Sequence, residues 1–206
     1  MAWWTEHVVP RLVDASLSQA PVGELRREVC AGLHGRVVEV GFGSGLNLPH
    51  LPAEVTAVDA VEPSELAWSR SADRRARADV PVGRAGLDGQ DLAAADATYD
   101  AALCTFSLCT IPDPGRALAE LRRVLVPGGR LHFVEHGIAP DARVRVWQRR
   151  LNPVQAALAG GCHLVRDPAA MVRDAGFVVT DVEHGYLAPG PAKPWGYLSR
   201  GLATAP

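Results

Sequence analysis

Three alternating glycines directly follow a short apolar segment and offer a surface for a ligand. Residues 37–40 read Val-Val-Glu-Val, which is typical of a buried parallel strand, and Gly41, Gly43 and Gly45 come next. Glycine adopts positive φ and allows a ligand to approach the backbone closely. Residues 46–48 then predict a helix start with free N–H groups. This order predicts the nucleotide-binding corner of an open α/β sheet; the alternative is a tight turn that only packs a helix on a strand.

Two acidic residues beyond the glycines are candidates to bind a ribose. Asp59 lies inside the second predicted strand, 55–61, whereas Glu62 follows its end, beside Pro63. An acid about 20 residues after such a loop is placed to accept hydrogen bonds from ribose hydroxyls. We favour Glu62, because ligands bind outside the carboxyl ends of strands. The alternative for Glu62 is a structural acid interacting with the dipole of a helix predicted over 64–78.

Length, charge and cysteine usage limit the class of protein. The 206 residues and net charge of −2 predict one domain, 1–206, with no nucleic-acid partner. Its parts are N-terminal helices over 1–34, a cofactor-binding core over 35–136, and substrate-side helices with a C-terminal hairpin over 137–206. Four cysteines without a CxxC pair predict reduced thiols. No stretch approaches the roughly 20 apolar residues of a membrane span, so we expect a soluble cytoplasmic protein.

The segments on either side of the core also allow structural predictions. Apolar periodicity predicts an N-terminal helix to about Ser18 that Pro10 kinks or breaks. Trp3 and Trp4 on it either cover a substrate pocket or pack against the sheet. The segment 139–159 contains Pro153 and predicts two helical pieces. Strands over 177–183 and 195–201 form the hairpin, joined by an irregular loop over 189–194.

Beyond the glycines, the motifs keep a family's order and spacing. They are Glu39–Gly45, Val61–Pro63, Asp88-Gly89, Tyr99-Asp100 and Pro127–Gly129. Over about residues 36–135 the chain resembles the class I S-adenosylmethionine (SAM) methyltransferases. The resemblance implies an α/β fold, a Rossmann-like seven-stranded mixed sheet of order 3-2-1-4-5-7-6 with strand seven antiparallel. Helices cover both faces, and an N-terminal helical cap is added.

A second group of segments resembles one subgroup of this family. The segments are Cys104–Cys109, Phe133–His136, Trp147, Gly161–Leu164 and Arg166. The subgroup includes animal membrane-anchored thiol S-methyltransferases and bacterial phospholipid and quinone-pathway methyltransferases. It implies methyl transfer to a small lipophilic acceptor. The chain departs from the animal enzymes in showing no N-terminal hydrophobic anchor, so we do not expect stable membrane insertion.

The resemblance implies SAM as the cofactor, released as S-adenosylhomocysteine. Glu39 would orient the methionine part through water, Glu62 would hold the ribose, and Asp88 would hold the adenine. Phe106 would shield the sulfonium, with Thr105 contributing backbone contacts. The expected cofactor-binding residues are Glu39, Gly41, Gly43, Gly45, Glu62, Pro63, Asp88, Gly89, Thr105 and Phe106.

Two histidines are candidate catalytic bases for the acceptor. A thiol is only a few per cent ionised at neutral pH, so a nearby base would help. His136 ends the fifth predicted strand and His163 lies in a late loop. The alternative for each is a structural hydrogen bond. Cysteine–histidine spacing gives no short-range ligand pattern, so we expect no metal site, and Cys104 and Cys109 are expected to be small core residues.

The sequence therefore predicts a SAM-dependent methyltransferase that acts by in-line displacement on a thiol, phenol or amine. A phospholipid or quinone precursor is the alternative acceptor. An NAD(P)-dependent reductase is a second alternative, against which Leu46 argues because it stands where a dinucleotide fingerprint requires glycine. A non-catalytic SAM-binding module is the third, since methyl transfer requires no obligatory catalytic side chain.

Overall fold

Seven β-strands form one mixed sheet at the centre of the protein. The computed structural model describes residues 2–187 and 190–206. The strands are β1 (Gly35–Val40), β2 (Val55–Val61), β3 (Val82–Gly86), β4 (Tyr99–Thr105), β5 (Leu125–His136), β6 (Val178–Tyr186) and β7 (Tyr197–Thr204). Their order is β3-β2-β1-β4-β5-β7-β6, and β7 runs antiparallel to both of its neighbours. The predicted fold class is therefore confirmed.

Helices cover both faces of this sheet. In the described residues they are α1 (Ala2–His7), α2 (Val9–Leu17), α3 (Ala20–Cys30), α4 (Glu65–Arg70), α5 (Ala72–Ala76), α6 (Pro114–Val124), α7 (Ala142–Leu158), α8 (Pro168–Asp174) and α9 (Lys193–Gly196). Two single 3₁₀ turns cover Leu48–His50 and Gly190–Ala192. None of the helices in this described part is long and apolar enough to cross a membrane.

Strand β1 shows why the sheet has two covered faces. It pairs in parallel with β2 on one side and β4 on the other. Successive side chains of a strand point to opposite faces. Val38 and Val40 accordingly pack with residues of α6 and α8, whereas Val37 packs with residues of α3. A central strand buried on both faces needs apolar side chains on both, which explains its run of valines.

Two prolines have opposite effects on helix continuity. Pro10 lies in the first turn of α2, and the chain breaks between α1 and α2 at Val8, as predicted. Pro153 lies inside α7, which is one continuous helix, so the prediction of two helical pieces was wrong. Side chains on both sides of Pro153 hold α7 in place: the Gln148 amide donates to the Gly137 carbonyl, and Gln155 accepts from the Trp195 indole. These anchors offset the lost backbone hydrogen bond.

The remaining boundaries differ by a few residues from the predicted ones. The helix predicted over 64–78 is divided at Ser71 into α4 and α5. The predicted C-terminal hairpin is confirmed as β6 and β7. Pro189, which opens the connection predicted to be irregular, lies outside the described residues. The rest of that connection forms the second 3₁₀ turn and α9.

Candidate functional site

A cavity of about 670 Å³ opens at the carboxyl ends of β1, β2 and β4. One wall is the glycine loop with the residues that end β2 and follow β3. The other wall is largely apolar and comes from α2, the turn after β4 and the loop after α7. The lining includes Gly41, Gly43, Ser44, Leu46, Glu62, Pro63, Asp88, Gly89, Thr105, Phe106, Ile111, Gly160 and Gly161, with Val9, Val13, Asp14 and Leu17 from α2.

The glycine loop has a backbone that other residues adopt only with strain. Gly41, Gly43 and Gly45 all have positive φ, between 60° and 78°. A Cβ atom on Gly41 would lie 2.4 Å from the Cβ of Ser107, so a side chain there would collide with the turn after β4. The predicted glycine loop thus needs glycine for both conformation and space. Gly41 and Gly43 line the cavity.

Glu62 is buried at the cavity wall and fixes the shape of the glycine loop. Its carboxylate accepts a hydrogen bond from the Gly43 N–H at 2.7 Å and another from the Ser64 N–H at 2.7 Å. Burial raises the pKa of Glu62, and the two backbone donors act in the opposite direction. Asp59, the competing acid, instead pairs with Arg36 and accepts from the Tyr99 hydroxyl at 2.9 Å.

Glu39 belongs to a buried polar network behind the glycine loop. Its Oε1 accepts from the Asn47 amide at 2.7 Å, and Arg26 donates to Asn47 Oδ1 at 2.7 Å and to the Thr105 hydroxyl at 3.0 Å. Glu39 Oε2 has no hydrogen-bond partner among the described residues. Burial raises the pKa of Glu39 to about 8. The network therefore leaves one oxygen of the Glu39 carboxyl group without a partner in the described residues.

Asp88 and Gly89 form a turn at the opposite end of this wall. The Asp88 carboxylate is exposed and accepts from the backbone N–H and the side-chain amide of Gln90, at 2.8 and 2.9 Å. These hydrogen bonds lower the pKa of Asp88. A Cβ atom on Gly89 would lie 2.5 Å from a methyl carbon of Val40, so only glycine fits against β1 there.

The turn after β4 is held from below by a buried carboxylate. Glu135 accepts hydrogen bonds from the backbone N–H groups of Ser107 and Leu108, at 2.8 and 2.9 Å, and of Cys109, at 3.1 Å. Phe106, just before them, has φ of +57°, which is unusual for an aromatic residue and is typical of functional sites. Glu135 therefore fixes this turn.

Helix α2 covers the apolar side of the cavity. Asp14 on α2 accepts from the Ser44 hydroxyl of the glycine loop and forms an ion pair with Arg70 of α4, and Arg74 lies 3.5 Å away. These contacts close α2 over the ligand site. Trp3 and Trp4 on α1 do not line the cavity; the Trp4 indole instead donates to the Leu158 carbonyl at the end of α7.

The two candidate bases lie behind the cavity wall rather than in it. The His136 ring contacts the Phe106 ring, with centroids 5.2 Å apart. His136 Nδ1 lies 3.8 Å from the sulfurs of both Cys109 and Cys162. His163 Nδ1 is instead 3.2 Å from the Asn152 side-chain nitrogen. The structure thus brings His136, but not His163, next to a residue that lines the cavity.

The thiols of Cys109 and Cys162 shift each other's pKa in opposite directions. A hydrogen bond to Cys162 and burial raise the pKa of Cys109. The same hydrogen bond from Cys109 lowers the pKa of Cys162, against the effect of its own burial, and His136 lowers it further. Cys104, by contrast, is a fully buried core residue, as predicted.

Three groups at the site were missed by the sequence analysis. Arg26 and Asn47 are buried polar residues in the Glu39 network, and Asp14 holds α2 in place. An arginine at a buried position of the α3 stripe, between Val22 and Val29, is the only signal that was available. Asp14 gave none, because an acid on an amphipathic helix is ordinarily exposed.

The cavity fits a nucleoside that carries an amino acid, which is the shape of SAM. Gly41 and Gly89 line the cavity with bare backbone, because Ser107 and Val40 pack where their Cβ atoms would lie. Acidic oxygens of Glu62 lie at the wall and suit hydroxyl donors, whereas Glu39 lies behind the wall, outside the cavity lining, with one oxygen that has no partner in the described chain.

The comparisons with known proteins agree with this geometry. The model of the family described as "Methyltransferase domain" matches residues 38–133. Human thiol S-methyltransferase TMT1B is 32% identical over 169 residues, covering 79% of this chain and 67% of the human protein. Rat thiol S-methyltransferase TMT1B is 33% identical over 152 residues, covering 71% of this chain and 62% of the rat protein. The chain thus spans about two thirds of the length of these relatives.

Solved structures give the same fold at lower sequence identity. A putative methyltransferase from Bacillus halodurans superposes with a TM-score of 0.73 and 15% identity, covering 89% of this chain and 98% of that one. The family match, the human relative and the sheet order exclude the reductase alternative. The cofactor of the family is SAM, and the chain belongs to the class I SAM-dependent methyltransferases.

Proposed function

We propose that the protein transfers a methyl group from SAM to a small lipophilic thiol. The observation that carries this proposal is the two-sided cavity, with bare backbone and acids on one wall and apolar side chains on the other. A thiol is favoured over the phenol and amine alternatives because the human and rat relatives are thiol S-methyltransferases. Val13, Leu17 and Ile111 suit an uncharged, lipophilic acceptor.

In this proposal the polar wall holds the cofactor. Glu62 accepts from the ribose hydroxyls, supported by its place at the end of β2 and by the pairing of Asp59 elsewhere. Asp88 accepts from the adenine amino group, beside the close backbone of Gly89. Glu39, behind the cavity lining, orients the methionine part through water with its free Oε2. Gly41 and Gly43 lie along the methionine part, and Gly45, Pro63 and Thr105 support the surrounding loops.

The chemistry needs little from the protein beyond position. SAM supplies a methyl group that its sulfonium has already activated. The chain holds the acceptor in line with that methyl group, and Phe106 and α2 exclude water from the reacting atoms, which captures the advantage of proximity. The acceptor thiol must lose a proton. His136 contributes to that step, supported by its contact with Phe106, whereas His163 is bound to Asn152 and serves a structural role.

The partner and location proposals follow from composition. A net charge of −2 supports a small-molecule acceptor rather than a nucleic acid. The four cysteines all carry free thiols, which supports a cytoplasmic location.

A homocysteine-release assay with a panel of acceptors tests this function. The purified protein is incubated with SAM and, in turn, an alkyl thiol, a phenol, an amine and a phospholipid headgroup. We expect turnover with the thiol and at least tenfold less with the others. Turnover only with another acceptor would overturn the thiol assignment. SAM binding by calorimetry with no turnover on any acceptor would instead indicate a non-catalytic binding module.

A further inference from the structure

Cys109, His136 and Cys162 converge from three separate elements beside the cavity. Cys109 lies in the turn after β4, His136 ends β5, and Cys162 lies in the loop between α7 and α8. One ligand atom of each lies within 4.8 Å of the others. Both cysteines are buried and His136 is half-buried. The group spans 54 positions along the chain and has no short-range ligand pattern.

The separations match the edges of a tetrahedral metal site. His136 Nδ1 lies 3.8 Å from Cys109 Sγ and 3.8 Å from Cys162 Sγ. A tetrahedral Zn²⁺, with Zn–S of about 2.3 Å and Zn–N of about 2.0 Å, separates a sulfur and a nitrogen ligand by about 3.5 Å. Both sulfur–nitrogen separations are therefore within a few tenths of an ångström of that value. Thiolate and imidazole together suit Zn²⁺ among the common divalent ions.

The surrounding backbone holds two of these residues in position. The Cys109 N–H donates to Glu135, and its carbonyl accepts from the His163 N–H at 2.8 Å. Gly160 and Gly161 both have positive φ, and a Cβ atom on Gly161 would lie 3.0 Å from the Thr110 carbonyl oxygen. This close glycine turn brings Cys162 to the cluster. Such fixed supports are typical of metal sites.

We propose that Cys109, His136 and Cys162 bind one Zn²⁺ whose fourth position takes the sulfur of the acceptor thiol. Three protein ligands with an open fourth position are the arrangement of catalytic zinc sites. The cluster is one side chain from the cavity, because Phe106 lines the cavity and contacts His136. The role of the fourth position rests on the proposed thiol acceptor; the metal site itself does not.

The bound ion would convert the acceptor thiol to the thiolate. A thiol that coordinates a metal is deprotonated, and its proton leaves to water. The new S–C bond forms as the C–S bond between the methyl group and the sulfonium breaks. The products are a methyl thioether, S-adenosylhomocysteine and one proton. His136 thus assists the deprotonation by binding the metal ion.

Metal titration of the reduced, metal-free protein tests the site without any activity assay. We expect one Zn²⁺ per chain, and with Co²⁺ as probe a thiolate-to-metal charge-transfer band with the visible bands of a tetrahedral ion. Cys162→Ser and His136→Gln should each weaken Zn²⁺ binding by more than the 10- to 100-fold that loss of an outer partner costs. Cys30→Ser, which removes a buried thiol outside the cluster, should leave binding unchanged. Absence of the charge-transfer band, or equal affinity in all variants, would overturn the metal site.

The fourth position is tested separately with a small alkyl thiol. Its addition to the Co²⁺-loaded protein should strengthen the charge-transfer band and shift the visible bands. Unchanged spectra would overturn the acceptor role and leave the metal site standing. Because these spectra need no SAM, failure here is distinguishable from failure of the proposed methyl transfer, which homocysteine release reports.

Discussion

The two walls of the cavity are built in different ways. The polar wall takes its main groups from the ends of consecutive strands, so that the glycine loop and Glu62 lie 19 residues apart and meet through one hydrogen bond. The apolar wall joins α2, the turn after β4 and the loop after α7, which are far apart in the chain. A wall made of local segments has a pattern that sequence reasoning can detect, whereas a wall made of distant segments is defined only by the fold.

Removal of the Glu62 carboxylate should produce the largest effect on the polar wall. Glu62→Ala loses both the ribose contacts and the hydrogen bond to the Gly43 N–H. Hydrogen bonds to a charged group contribute about 1.5–3 kcal/mol, so SAM affinity should fall about 100-fold. Isothermal calorimetry measures this change directly.

Asp59→Asn is the matched control, because Asp59 is engaged with Arg36 and Tyr99. It should keep wild-type SAM affinity while lowering thermal stability. Weaker SAM binding in Asp59→Asn than in Glu62→Ala would move the ribose role to Asp59.

Gly41→Ala should destabilise the contact between the glycine loop and the turn after β4, where the polar wall meets the apolar wall. The positive φ at Gly41 and the 2.4 Å approach to the Ser107 Cβ predict a loss of about 2 kcal/mol in unfolding free energy. Gly23→Ala is the control: Gly23 lies in α3 with no atom near its Cβ position, so alanine should add about 0.5–1 kcal/mol. Chemical denaturation measures both, and the same sign for the two variants would contradict the geometry.

The sequence was sufficient for the sheet and for most of the polar wall. Valine runs and glycine positions reflect local requirements of strands and turns, so the strand order and the glycine loop were predictable once the family resemblance was recognised. The continuous α7 was not, since side-chain anchors distant in sequence decide whether Pro153 breaks it. The Cys109, His136 and Cys162 cluster was not predictable either, because its spacing has no periodicity.

The pH dependence of stability tests the buried acid of the polar wall. The pKa of Glu39 is about 8 in the folded protein, against 4.5 for an ordinary glutamate. Its stabilising contribution is fully present below about pH 4.5 and is lost as pH rises through 8, because the unfolded chain releases the proton first. Glu39→Gln has no proton to lose, so its unfolding free energy should fall less than that of the wild type between pH 5 and 9. Parallel stability curves for wild type and variant would contradict a buried, protonated Glu39.

The smallest effect is expected where α2 closes over the apolar wall. Asp14→Asn keeps a hydrogen-bonding group for Ser44 but removes the charge that pairs with Arg70. Partly exposed ion pairs contribute about 0.5–1 kcal/mol, so SAM should dissociate about two- to fivefold faster, as measured by stopped-flow fluorescence. Glu24→Gln, which removes an exposed ion pair with Arg27 on α3, should leave the rate unchanged. Because salt screens such pairs, high ionic strength should bring the wild-type rate toward that of Asp14→Asn. A difference that persists in high salt would mean that the hydrogen bond to Ser44, and not the ion pair with Arg70, accounts for the effect of Asp14.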